Sequence, residues 1–390
     1  VAIDLTSQYD AITTDQIRSW GTAKWMKKPG ALAAWIAEMD FPLCEPVRAA
    51  VTDLVNTGAL GYSPDSDNTQ LARAYTDFSK RHWGWAPDPG NVQPIPDVLA
   101  GLVAVIETYT TPGTPVIVPT PAYMPFLTLP TYFDRDVIQV PLSCDDSGYY
   151  TYDLNALAAA FDQGAELLVL CNPHNPVGRV LTRDELLAIA DVVEAKGGLV
   201  FADEIHAPIV YPGHSHIPYA SLDERTAAHS ITAISASKSF NLAGLKCAQI
   251  ILTNPDHHAA WEKASRWIWA SRPGIFANIA AYDQGDEWLE GLVSYLDRNR
   301  RRLAELVEDK LPGVRYRMPE GTFLALLDFR GARGGAGLGD DPTRIIDEKS
   351  NVVLNAGPDL GDAAVGMARI NIATPLPVLE EVVAAIAKAL

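Results

Sequence analysis

The sequence predicts an α/β fold: a mainly parallel central sheet covered by helices on both faces, followed by a smaller α/β unit at the C-terminal end. Three observations support this. Short, continuously apolar runs such as LLVLC at 167–171 alternate with stretches of helical spacing, as expected for strands buried on both faces. Three of these runs end in polar clusters: Asn172 and Pro173 after one, Asp203 and Glu204 after the next, and Ser235 to Lys238 after the third. Ligand sites of such sheets lie beyond the carboxyl ends of their strands. Finally, 390 residues at 48% hydrophobic composition suffice for roughly two or three domains of about 150 residues each.

Residues 1–45 read as a polar, turn-rich arm anchored by Trp20, Trp25, Trp35 and Phe41, suited to wrapping another surface or contacting a second subunit. Helical spacing follows at 46–57 and 69–83. GYSPDSDN at 61–68 reads as a loop between them, because Gly61, Pro64 and Asp67 interrupt regular structure. Further helices are predicted at 98–110, 155–161 and 185–195, and strands at 115–118, 137–142, 167–171, 199–202, 231–235 and 248–252. The large body spans 46–309 and closes with one long helix over 276–306, after the breakers Pro273 and Gly274. A smaller unit covers 310–390, with strands at 322–328 and 367–372 and a final helix at 376–390. GARGGAGLGDD at 331–341 lacks the order of a phosphate loop and reads as a surface insertion.

Charge and cysteine usage exclude several classes. Lysine and arginine total 31 against 48 acidic residues, a net charge of −17, which argues against a nucleic-acid or anionic-membrane surface but allows a locally positive pocket. Cys44, Cys144, Cys171 and Cys247 show no CxxC spacing, so neither a zinc knuckle nor a disulfide framework is expected. No HExxH pairing links His174 with His206, and no metal is expected. No run approaches the roughly 18 apolar residues of a membrane span. VAIDLTSQYD lacks a basic region followed by an apolar one, so a cytoplasmic protein is expected.

Lys238 follows an apolar run within a hydroxyl-rich turn; with its ammonium partly desolvated it becomes an imine-forming nucleophile and a proton carrier. Asp203 ends another run, where a buried carboxylate needs a cationic or hydrogen-bonding partner; a protonated ring nitrogen and a neighbouring arginine both satisfy that need. In CNPHNPVG two prolines fix Asn172, His174 and Asn175, either as rigid amide donors to a cofactor oxygen or as a turn. The helix opening near Asp97 offers an anion site if Ser235, Ser237 and Lys246 converge on it. Arg369, inside the apolar MARINIA, matches a substrate carboxylate or a structural aspartate.

Eight motifs then occur in order: WIAEMDFP at 35–42, GYSP at 61–64, PAYMPF at 121–126, LLVLCNPHNPVGRV at 167–180, FADEIH at 201–206, SASKSFNLAGL at 235–245, PEGTFLALLDF at 319–329 and RINIATP at 369–375. The series resembles the fold type I pyridoxal-phosphate enzymes, and within them the MalY/PatB-like cystathionine beta-lyases, or C-S lyases, over nearly the full length. The resemblance implies pyridoxal 5′-phosphate held covalently by Lys238, with Asp203 on the pyridine nitrogen, Asn175 and His206 near the phenolic oxygen, and Tyr123 stacked on the ring. It implies phosphate contacts from Asp97 and Val98 backbone amides, from Ser235 and Ser237, and from Tyr62 of a second subunit. Lys246 stands where many aminotransferases place an arginine. Arg369, with Tyr62, would bind substrate. The implied reaction is β-elimination from L-cystathionine or a related cysteine thioether, within methionine biosynthesis or sulfur amino acid turnover, by a homodimer with composite sites. An aminotransferase using the same residues is the alternative.

Overall fold

Seven apolar segments pair into one sheet: β1 (Val92–Ile95), β2 (Val116–Thr120), β3 (Val137–Pro141), β4 (Leu167–Cys171), β5 (Leu199–Asp203), β6 (Ser230–Ile234) and β7 (Ala248–Ile251). The structure is a computed structural model and describes residues 3–390; positions 1 and 2 of the expected arm lie outside the described residues. Strand order is β1-β7-β6-β5-β4-β2-β3. Pairing is parallel from β3 through β6, whereas β7 is antiparallel to both neighbours.

Every residue of β2, β4, β6 and β7 is buried, so these strands show no alternation of polar and apolar residues. Their side chains still alternate between two cores. Val116, Val118, Leu167 and Val169 pack with Leu102, Val105 and Ile106 of the helix Val98–Tyr109. Ile117, Leu168 and Leu170 face the other way, against the helices Leu154–Asp162 and Arg183–Lys196. Each such Val, Leu or Ile contributes about 1.5–3 kcal/mol on burial, and the two-residue period is that of any pleated strand.

A second, antiparallel sheet is built from β8 (Arg315–Tyr316), β9 (Leu324–Asp328), β10 (Asn355–Ala356) and β11 (Met367–Asn371) in the order β8-β9-β11-β10. The N-terminal segment is stitched beside it, with Leu32 and Ala33 parallel to Val352 and Val353. Among the described residues no helix is long and apolar enough to cross a membrane.

Three local expectations are corrected. Residues 276–306 are not one helix: Arg272–Gln284 and Asp286–Lys310 are separate. They meet at Gly285, where a Cβ would lie 2.4 Å from the Ala281 carbonyl and 2.4 Å from the Phe240 ring. Pro273 and Gly274 sit inside the first helix rather than before it, Pro in the first turn being harmless because its missing N–H has no partner there anyway. The loop at 61–68 ends early, since a helix runs Asp65–Trp83 with Asp65 and Asp67 in its first turn, where acidic side chains favour the dipole. The arm holds three short helices, Thr6–Asp10, Thr14–Ser19 and Ala23–Met26. Trp25 and Phe41 are buried in it, whereas Trp20 is exposed.

Candidate active site

Because β4, β5 and β6 are parallel neighbours in register, with Cys171 opposite Asp203 and Asp203 opposite Ala233, their carboxyl ends deliver three polar clusters to one rim. A cavity of about 170 Å³ opens there, lined by Asp97, Val98, Tyr123, Asn175, Asp203, His206, Ser237, Lys238 and Lys246, together with Ala37 and Cys247. Hollows of about 480 Å³ near Arg317 and about 470 Å³ near Tyr62 are larger, but neither gathers Lys238, Asp203 and His206.

Lys238 sits in the one-turn helix Ala236–Ser239, capped by the Ser235 hydroxyl, which accepts from Ser237 N–H. Its Nζ donates to the Ala37 carbonyl at 2.7 Å. Loss of hydration, with the Arg369 guanidinium adding to it, pulls its pKa down to about 8. Asp203 accepts the Ile205 N–H at 3.0 Å; burial outweighs that bond and pushes the carboxyl up to about 7. Burial drives His206 down to about 3, helped by the Lys238 and Arg369 charges, and leaves its Nδ1 with no hydrogen-bond partner. Burial also raises the Tyr123 phenol.

Arg369 projects from β11 and is 2% exposed. It donates to Asn175 Oδ1 at 3.1 Å, to the Trp35 carbonyl at 3.3 Å and to Asn355 Oδ1. Its Nε has no partner, and among the described residues no carboxylate pairs with it, so the structural-aspartate alternative has no support. Burial lowers its pKa to about 10.

At the other end, Asp97 caps the helix Val98–Tyr109 by accepting Ala100 N–H at 2.8 Å and pairs with Lys246 at 2.7 Å. Val98 and Leu99 line the cavity, at the turn where helix amides have no intrahelical acceptor. Ser237 and Lys246 reach this end; Ser235 does not. The Ser235 hydroxyl donates to the Cys247 carbonyl at 2.6 Å while accepting Ser237 N–H, so it braces the lysine turn and has no proton left for a ligand. His174 is likewise committed elsewhere, its Nε2 lying 2.8 Å from the Pro121 carbonyl; Asn172 does not line the cavity, its Oδ1 accepting Leu181 N–H while its Nδ2 is buried without a partner. Tyr62 is 98% exposed and does not line this cavity; it stands beside Trp269 and Arg272.

Sequence reasoning did not single out Ala37 or Asn355. WIAEMDFP marked the segment of Ala37 but not its carbonyl, and nothing in SNVVLNAGP distinguishes Asn355 from a turn residue.

A lysine with a lowered pKa and a raised aspartate where parallel strands end, with a buried guanidinium from the second sheet that has no carboxylate partner among the described residues, make a site suited to an amino-acid-converting enzyme. The chain matches the aminotransferase class I and II family over residues 36–386 and belongs to it, in the MalY/PatB-like branch. It is 37% identical to a cystathionine beta-lyase of Corynebacterium glutamicum, over 94% of this chain and 96% of that protein. It is 30% identical to the cystathionine beta-lyase PatB of Bacillus subtilis, over 90% of each. The solved PLP-bound C-S lyase of Staphylococcus hominis superposes with a TM-score of 0.89 at 26% identity, covering 98% of this chain and 97% of that one.

Proposed function

We propose that this chain is a pyridoxal-phosphate-dependent carbon–sulfur β-lyase, cleaving L-cystathionine or a related L-cysteine thioether to a thiol such as homocysteine, pyruvate and ammonia. Arg369 carries the reading. A buried guanidinium with a free Nε and no carboxylate partner, next to a depressed lysine, is satisfied by an incoming α-carboxylate that matches its planar fork. The names of the relatives supply the substrate class.

The residues fit the cofactor. Lys238 would bind it covalently. Asp203 would face the ring nitrogen, where a shared proton relieves its burial. Asn175 and the unpartnered Nδ1 of His206 would meet the phenolic oxygen, and Tyr123 would cover the ring face. Ser237, Lys246 and the amides at Asp97 and Val98 would take the phosphate, with Ser235 supporting them from behind. When bound, the cofactor supplies an electron sink for the charge left at the substrate's α-carbon. Lys238, with a pKa of about 8, can take up the α-proton at Nζ near neutral pH and pass it on to the leaving thiol or to solvent. Arg369 holds the carboxylate so that this proton faces Nζ. Tyr123, kept protonated by burial, and Lys238 both line the cavity, and either would supply the proton to a departing sulfur.

The functional unit in this proposal is a cytoplasmic homodimer with composite sites, in which the body 46–309 supplies Lys238 and Asp203 and the unit 310–390 supplies Arg369. Tyr62 supports the dimer. Almost fully exposed, it stands by a hollow that also includes Trp269, with Trp267 exposed nearby, and large exposed aromatics mark contact surfaces. Its hydroxyl would complete the phosphate site of the second subunit. The four free thiols accord with a reducing compartment.

Incubation with pyridoxal phosphate and L-cystathionine, without any keto acid, tests the reaction. Sustained release of pyruvate and thiol is the expected result, and Lys238→Ala should abolish it together with the visible absorbance of the covalently held cofactor. A single stoichiometric turnover would instead favour an aminotransferase, which needs the same lysine, aspartate and arginine.

A further inference from the structure

Residues 35–40 form a strap that touches both halves of the site. The Trp35 carbonyl accepts from Arg369 at 3.3 Å and the Ala37 carbonyl accepts from Lys238 Nζ at 2.7 Å. The intervening Ile36 and Glu38 carbonyls both accept from Asn371 Nδ2, at 2.7 and 2.8 Å. Met39 exchanges two hydrogen bonds with the Asn241 side chain, three residues past Lys238. The segment bends at its centre, where Glu38 N–H donates to the Ile36 carbonyl at 2.9 Å, and a shift along its length would carry the Trp35 and Ala37 carbonyls off Arg369 and Lys238.

The strap ends on a buried ion pair. Lys24 Nζ lies 2.6 Å from Asp40 Oδ2, with side-chain exposures of 0% and 1%. The other carboxylate oxygen accepts from Trp25 Nε1 at 2.8 Å. Lys24 also engages the strap through its backbone: its N–H donates to Glu38 Oε1 at 2.9 Å, and its carbonyl accepts from Trp35 Nε1 at 2.8 Å. The Asp40 N–H donates to the Ala373 carbonyl at 2.9 Å. A buried ion pair is a poor source of net stability, because desolvation offsets its attraction, but it can fix one register among several. An apolar pair of similar size would fill the space without specifying which strap residue occupies it.

We propose that Lys24 and Asp40 are positioning residues: their buried contact sets the register of the 35–40 strap, and so the placement of the Trp35 and Ala37 carbonyls against Arg369 and Lys238. The proposal rests on the reading of Arg369 as the carboxylate clamp. The substrate carboxylate meets a guanidinium whose orientation the strap fixes, so loosening the strap acts on binding before it acts on chemistry.

The test compares the wild-type holoenzyme with the Lys24→Met/Asp40→Leu double variant and with Asp40→Asn, which keeps the shape and the Trp25 bond but removes the charge. KM for L-cystathionine should rise about tenfold in the double variant, with kcat held within about twofold, the pattern of lost binding that is uniform between ground and transition states. Hydrogen exchange of the Met39 and Asp40 amides should accelerate by about tenfold or more as the strap opens locally, with the melting temperature held within a few degrees. Asp40→Asn, which leaves the buried Lys24 ammonium without its anion, should move both readouts in the same direction and by at least as much, and decides the matter if the double variant does not fold. Wild-type KM and wild-type exchange in either folded variant would overturn the proposal, as would a fall in kcat with KM unchanged. Loss of the lyase reading alone would show differently: wild type would release no pyruvate, while strap exchange would still respond to the variants.

Discussion

At the scale of single residues, Arg369 is a buried charge without a counter-ion among the described residues. Arg369 has amide and carbonyl partners but no anion, so Arg369→Ala should lower kcat/KM for the thioether by the equivalent of about 2–5 kcal/mol; steady-state kinetics with an unchanged kcat/KM would return it to a structural role. His174 shows the same physics without the function. Burial pulls its pKa down to about 4, whereas an unfolded histidine takes up its proton near pH 6.5. Between those values the unfolded chain carries one more proton at this site than the folded one, so stability is lost as the pH falls, by about 1.4 kcal/mol per unit. A His174→Gln variant should therefore show a pH dependence shallower by that slope in urea unfolding between about pH 4.5 and 6.5, and an unchanged slope would refute it. The chemical types of Lys238, Asp203 and Arg369 were legible because each charge follows, ends or lies inside an apolar run. Asn355, and the commitment of the Ser235 hydroxyl to Cys247 O, were not, because those partners are fixed by how the chain packs and not by local spacing.

At the scale of elements, the strands were the most legible part, since a continuous apolar run bounded by polar residues has few alternatives in a sheet covered on both faces. The helix break at Gly285 was not, because a glycine in a helical pattern reads as merely tolerated. Its reason is tertiary. Phe240, two residues after Lys238, stacks on Trp288 with ring centroids 5.5 Å apart and occupies the space where a Gly285 Cβ would stand. Gly285→Ala should cost about 1–3 kcal/mol by overpacking, visible as a lower melting temperature in calorimetry. Because the displaced ring adjoins the lysine turn, the same variant should also reduce turnover, and a stable, fully active variant would show that Phe240 yields freely.

At the scale of the whole molecule, the proposed composite site draws on two features of the chain: a cavity with Ser237, Lys246 and a helix start at one end, and an exposed Tyr62 that does not line it. In a composite site the lysine of one subunit works with the tyrosine of the other. Lys238→Ala and Tyr62→Ala enzymes, each impaired alone, should then rescue one another when mixed under conditions that let subunits exchange. Random pairing makes half of the dimers mixed, and in each of these one site holds both mutations while the other holds neither. Activity should recover to about a quarter of the wild-type value, because only one site in four of a mixed population escapes both defects. Size measurements on the mixture should show dimers throughout. Recovery no greater than the sum of the two separate activities, in a mixture proven to exchange, would mean that each chain builds its site alone and that Tyr62 serves the surface and not the chemistry.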